Sequence, residues 1–204
     1  AYTSNDAPLD NIPNHIFSIS ILGETMPKQP KILDPRDVEV VNTPYYHVKG
    51  RGPKYTSMQI FNNDNLKRTA RSSRFGSWGY EGFPLNEGKN TISVKAYDID
   101  SDFSLKSDSV VIISDTLKPT VNITSYVEND YLKFIVTSLE NLGEVNARID
   151  NKSLVFQHDD GNKKVWVAEA EAPARMVDNS YVSKEMSMLK LYAKDVAGNS
   201  MDIL

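Results

Sequence analysis

Between Asn90 and Ile113 the chain alternates apolar and polar positions: Ile92, Val94 and Ala96 against Ser93, Lys95 and Tyr97. A period of two is that of a half-buried strand, whose successive side chains point to opposite faces. After a turn at Asp98–Asp102, the β-branched run Ser109–Ile113 predicts a second strand and so a hairpin. The pattern returns with Leu189, Leu191 and Ala193 against Lys190, Tyr192 and Lys194, followed by the turn Asp195-Val-Ala-Gly-Asn199. Setting Asp98 on Asp195 pairs Ile92 with Leu189, Val94 with Leu191, Ala96 with Ala193 and Ile99 with Val196, at a constant offset of 97. Pro30 and Pro119 each open a further apolar strand, at an offset of 89, and the difference between the offsets implies loop insertions. A repeat of roughly 90 to 100 residues made of short strands predicts one β-sandwich per repeat.

The first unit reads as strands at Lys31–Leu33, Tyr45–Lys49, Tyr55–Phe61, Thr91–Tyr97 and Ser107–Ile113. In the second they fall at Thr120–Tyr126, Tyr131–Thr137, Glu144–Ile149, Leu154–Gln157, Lys163–Ala168, Met188–Lys194 and from Met201 onward. Asp159-Asp-Gly-Asn162 supplies the positive φ angles of a tight hairpin. The boundary lies at Asp115-Thr-Leu-Lys-Pro119, because proline cannot continue a ladder, and so short a linker implies limited freedom between units. The expected organisation is an N-terminal segment 1–27, a sandwich over 28–115 and a sandwich over 116–204. In the N-terminal segment Phe17, Ile19 and Ile21 alternate with serines and predict one extra strand, read as the last strand of a preceding repeat. An unpaired strand of that kind favours either closure on the first unit or head-to-tail self-association by strand addition.

Composition narrows the function. With 40% hydrophobic and 25% charged residues the chain of 204 residues is an ordinary globular one, and it has no cysteine. Thiolate catalysis, cysteine-ligated zinc and disulfides are therefore excluded. No apolar run approaches membrane-spanning length, so the chain is not expected to be membrane-embedded. A net charge of −4 gives no global attraction to nucleic acid, and none is expected as a partner. The three histidines, His15, His47 and His158, lie far apart in sequence, and no Gly-x-Ser-x-Gly or His-Glu-x-x-His motif is present, so the chain does not read as an enzyme.

Asn86-Glu-Gly-Lys-Asn-Thr-Ile-Ser-Val-Lys-Ala-Tyr-Asp, the Asp115–Val121 linker and Ala193-Lys-Asp-Val-Ala-Gly-Asn199 resemble the tandem immunoglobulin-like repeats of bacterial and archaeal surface and secreted proteins. The resemblance runs over about Lys28–Leu204 and implies an all-β chain of two immunoglobulin-like β-sandwiches. It also implies an extracellular or cell-surface location and a non-catalytic role in adhesion or in a surface-layer array, beside neighbouring repeats of the same chain. The alternative it leaves open is a spacer or carbohydrate-binding accessory region of a secreted glycosidase or protease.

Charge is segregated. Lys49, Arg51, Lys54, Lys67, Arg68, Arg71 and Arg74 are seven basic residues in a stretch whose only acid is Asp64. Sixteen basic and twenty-six acidic residues remain for the rest of the chain. Aromatic residues follow at once: Phe75, Trp78, Tyr80 and Phe83. Lys67, Arg68, Arg71, Arg74, Trp78 and Tyr80 are thus the candidate ligand-binding set, for an anionic glycan or an acidic protein surface. The competing reading places the aromatic rings in the core and leaves the cations in water. Asp98, Asp100 and Asp102 carry alternating carboxylates suited to Ca²⁺, with Asp115 as a further donor at the unit junction. They lack the glycine and the closing glutamate of an EF-hand, and a solvated acidic turn is the plainer reading. Asn122-Ile-Thr and Asn151-Lys-Ser match the N-glycosylation triplet.

Overall fold

The computed structural model describes residues 26–97, 103–129, 131–149, 152–159, 161–171 and 189–203. Every regular element among them is a strand, so the fold is all-β. The first unit holds β1 (Lys31–Asp34), β2 (Glu39–Val41), β3 (Tyr45–Arg51), β4 (Ser57–Asn62), β5 (Asn65–Arg71), β6 (Ser77–Pro84), β7 (Gly88–Tyr97) and β8 (Val110–Ser114). They form a three-stranded sheet, β1-β3-β6, and a five-stranded sheet, β2-β8-β7-β4-β5. All pairs are antiparallel except β2 with β8.

The second unit holds β9 (Val121–Glu128), β10 (Tyr131–Ser138), β11 (Leu142–Ile149), β12 (Lys152–Val155), β13 (Gln157–Asp159), β14 (Asn162–Glu171), β15 (Leu189–Asp195) and β16 (Ser200–Ile203). These make two four-stranded sheets, β13-β14-β10-β9 and β12-β11-β15-β16. Each unit encloses its own core. One packs Val48, Met58, Ile60, Trp78, Phe83, Ile92, Val94 and Ile112, and the other Leu132, Phe134, Val136, Leu142, Trp166, Leu189 and Leu191. At roughly 1.5–3 kcal/mol for each large apolar side chain removed from water, these two clusters supply the main drive for folding.

The positions aligned between the two units share their burial. Ile92, Val94 and Ala96 on β7 are fully buried, and their counterparts Leu189, Leu191 and Ala193 on β15 are buried in turn. Beyond β8 the ladder of β7 is continued by side chains, since the Ser107 and Ser104 hydroxyls accept hydrogen bonds from the amides of Val94 and Ala96 at 2.9 and 2.8 Å.

Several boundaries differ from the sequence reading. Tyr55 is not a strand residue: it takes φ 58°, and β4 starts at Ser57. The sequence reading places no strand between Phe61 and Thr91, where Lys67, Arg68 and Arg71 lie on β5 and Trp78, Tyr80 and Phe83 on β6. Trp78 lies in the core at 4% exposure, so it is withdrawn from the candidate binding set. The extra strand expected at Phe17–Leu22, the Asp98, Asp100 and Asp102 group, and Asn151 lie outside the described residues.

Candidate functional site

β3 runs from the linker end of the first unit to its far pole. At its start, Leu85 N–H donates to the Pro44 carbonyl and the Ser114 hydroxyl to the Thr43 carbonyl, both at 2.9 Å. At its finish, Arg51 pairs with Ser77 of β6 and with Lys31 of β1. The pole beyond Arg51 is built from two turns, 52–56 and 72–76, bonded to each other. Gly52 N–H donates to the Gly76 carbonyl at 2.8 Å, Ser72 N–H to the Thr56 carbonyl at 2.9 Å and Thr56 N–H to the Ser72 hydroxyl at 2.8 Å. The buried Ser72 hydroxyl also contacts the Pro53 carbonyl at 2.5 Å. Gly76, at φ 77°, leaves no room for a side chain, because a Cβ would collide with the Gly52 carbonyl oxygen.

This lacing displays two aromatic rings. Tyr55 is 63% exposed and Phe75 is 64% exposed. Tyr55 holds its ring out from a left-handed backbone conformation that costs a non-glycine residue about 1–3 kcal/mol. Arg51, Lys54, Arg71 and Arg74 are exposed around them. The Arg74 guanidinium lies 4.5 Å from the Phe75 ring centre, and Arg51 Nη1 donates to the Phe75 carbonyl at 3.3 Å. Lys67, Arg68 and Arg71 follow along β5, with Arg68 5.9 Å from the ring centre of the half-buried Tyr80.

The stretch has little internal neutralisation. Lys49 pairs with Asp34 at 2.9 Å, and Asp64, its single acid, is itself held by Lys106 at 2.5 Å. Lys106 holds the Asp64 carboxyl below its ordinary range by hydrogen bonding and by charge. Arg51, Lys54, Lys67, Arg68, Arg71 and Arg74 make no ion pair among the described residues. Of the sequence candidates, then, Arg68 stands beside Tyr80 and Arg74 beside Phe75, while Arg68 pairs with the core-facing Ile60 and Arg71 with Ser57, so these two arginines leave β5 by opposite faces. The composition of the stretch did not single out Tyr55, whose exposure depends on a backbone conformation.

At the opposite end of the unit the linker brings three carboxylates together. Asp115, Glu140 and Asp195 have oxygens within 4.8 Å of one another. Asp195 is buried and already occupied, accepting from Gly198 N–H at 2.7 Å, Asn199 N–H at 2.9 Å and Asn199 Nδ2 at 2.9 Å. Burial raises the Glu140 carboxyl above its ordinary range, and the charges of Asp115 and Asp195 push it further. This group fastens a turn at the junction.

A third polar group lies beside the β1–β2 crossover. The Tyr46 hydroxyl lies 3.0 Å from Asp34 Oδ1 and 2.5 Å from Glu39 Oε2, two carboxylates that line an open cleft with Arg36, Asp37 and Lys49. His47 sits on β3 of the first unit and His158 on β13 of the second, where it packs edge-on to Trp166 at 4.7 Å. Asn122 is exposed on β9. No helix of the described residues is long and apolar enough to cross a membrane.

No family model matches the chain, and no curated protein does. Among solved structures, the fibronectin(III)-like modules of CbhA from Clostridium thermocellum are 23% identical, over 42% of this chain and 95% of that one, with a TM-score of 0.35.

Proposed function

We propose that the chain is a non-catalytic, extracellular segment of a surface protein that works as a stiff spacer, holding its two sandwiches in one orientation for adhesion or array building. The observation that carries this reading is that the linker is bonded from both sides. On the first unit, Asp115 N–H donates to the Val41 carbonyl at 2.9 Å, and Thr116 donates to Glu87 through its amide at 3.2 Å and its hydroxyl at 2.8 Å. On the second unit, Asn199 Nδ2 donates to the Asp115 carbonyl at 2.8 Å. Asn199 is held in turn by the buried Asp195, so the linker is tied to the turn that ends β15. A free hinge would leave these backbone groups to water. Tying them down removes the conformational entropy through which a spacer loses reach and direction.

Small-angle scattering tests this. The intact chain is expected to fit one relative orientation of the two units. Glu87→Ala with Asn199→Ala is expected to require a spread of orientations while each unit keeps its unfolding transition. Scattering of the unaltered chain that demands a freely jointed ensemble overturns the spacer reading.

A further inference from the structure

The pole of the first unit lies away from the linker, and what it does is independent of the spacer role. We propose that it is a binding site for an anionic polysaccharide, one whose pyranose rings carry carboxylate or sulfate groups. Two features coincide there. Tyr55 and Phe75 stand exposed on turns that their own backbone bonds hold rigid. Arg51, Lys54, Arg71 and Arg74 stand around them without an acidic partner among the described residues.

Each feature matches one half of such a ligand. A pyranose presents a flat face of C–H groups, which an exposed aromatic ring covers at small entropic cost because the ring has two side-chain torsions. A guanidinium offers paired N–H donors that match a carboxylate or sulfate edge, and its interaction strengthens where a ring excludes water on one side. Arg74 is placed for this, lying 4.5 Å from the Phe75 ring centre with Phe75 still exposed. An acidic peptide would satisfy the cations but has no sugar face to set on the rings, so the rings favour the glycan. The platform is also formed before any ligand arrives. The Gly52–Gly76 and Thr56–Ser72 hydrogen bonds fix the two turns relative to each other, which lowers the ordering cost of binding.

Calorimetry on the full chain tests the site, with a heparin octasaccharide and a galacturonate oligomer as charged probes and cellohexaose and poly-L-glutamate as comparators. At least one charged glycan is expected to bind, more weakly as salt is raised, and cellohexaose is not. Tyr55→Gly with Phe75→Ser should weaken binding about tenfold or more. Glycine adopts positive φ freely, so this variant keeps its fold, which circular dichroism and the unfolding midpoint verify. Arg71→Glu with Arg74→Glu should abolish binding. Failure of both charged probes to bind overturns the proposal. So does equal binding by poly-L-glutamate with the ring variant unaffected, which would mark an acidic protein as the partner. Equal binding of cellohexaose would remove the charged ligand class.

Discussion

Asn62 Nδ2 donates to Asn90 Oδ1 at 2.7 Å, and both side chains are fully buried in the first sandwich. Asn90 uses all of its capacity: Oδ1 also accepts from Asn86 N–H, and Nδ2 donates to the Asn86 and Gly88 carbonyls, each at 2.8 Å. It therefore ties the turn before β7 to the end of β4. Asn62 is the dependent partner, because its Oδ1 has no hydrogen-bond partner.

The two residues should differ sharply when altered. Asn90→Ala removes four bonds and strands the buried Asn62 amide, so it is expected to destabilise the first unit by about 3 kcal/mol or more. Asn62→Ala leaves Asn90 with three of its bonds and is expected to cost about 1–2 kcal/mol. Urea unfolding of the whole chain, followed by Trp78 fluorescence in a Trp166→Phe background, measures both. Equal costs would mean that the turn does not depend on Asn90.

The asymmetry between what could and could not be read in the sequence has a physical origin. Ile92, Val94 and Ala96 were legible because β7 is an interior strand, with its core face filled at every second residue. On β6, Trp78 and Phe83 face the core and Tyr80 packs partly against it, so the inward positions change parity where Gly82 takes φ 65° and the register against β3 slips. A period-two scan loses such a strand. β5 gives the core only Ala70, half-buried, so its sequence carries almost no apolar signal. The pole was hidden for another reason. Tyr55 and Phe75 stand on turns twenty residues apart, joined by backbone bonds and one buried serine, and no local pattern announces that pairing.

Glu140 predicts a pH response at the junction. Its carboxyl is raised by burial first and then by Asp115 and Asp195. The folded state therefore holds that proton more tightly than the unfolded one. Stability from this group is gained as pH falls through the raised value toward the ordinary glutamate range, and it is absent at neutral pH. Asp34 acts with the opposite sign and lower on the scale, since its hydrogen bond to Lys49 depresses its carboxyl and that contribution is lost only as pH falls through the depressed value. Glu140→Gln is expected to raise the unfolding midpoint of the second unit by about 2 °C at pH 7.5. It should also flatten the rise expected of the unaltered chain as pH falls from 7.5 toward the ordinary glutamate range. A midpoint profile identical in the two proteins would show that Glu140 does not sense its neighbours.

The cations of β5 make a prediction separate from ligand binding. β5 is an edge strand, paired with β4 on one side, and its open side offers unpaired backbone groups to any passing strand. Lys67 sits at the irregularity where Arg68 pairs with Ile60 and Leu66 with Phe61, so the edge carries a charge at its own register break. Charge and a bulge are two ways in which sheet edges resist docking, and either sign of charge serves. Replacing Lys67, Arg68 and Arg71 together by Thr, a good strand former, should leave the fold intact and produce concentration-dependent association in sedimentation velocity. Replacing all three by Glu should leave the association of the chain unchanged, while removing part of the positive charge beside the proposed glycan site. The paired variants thus separate protection of the edge from the proposed recruitment of a ligand. If the Thr variant sediments as the unaltered chain does across the accessible concentrations, these cations do not guard the edge.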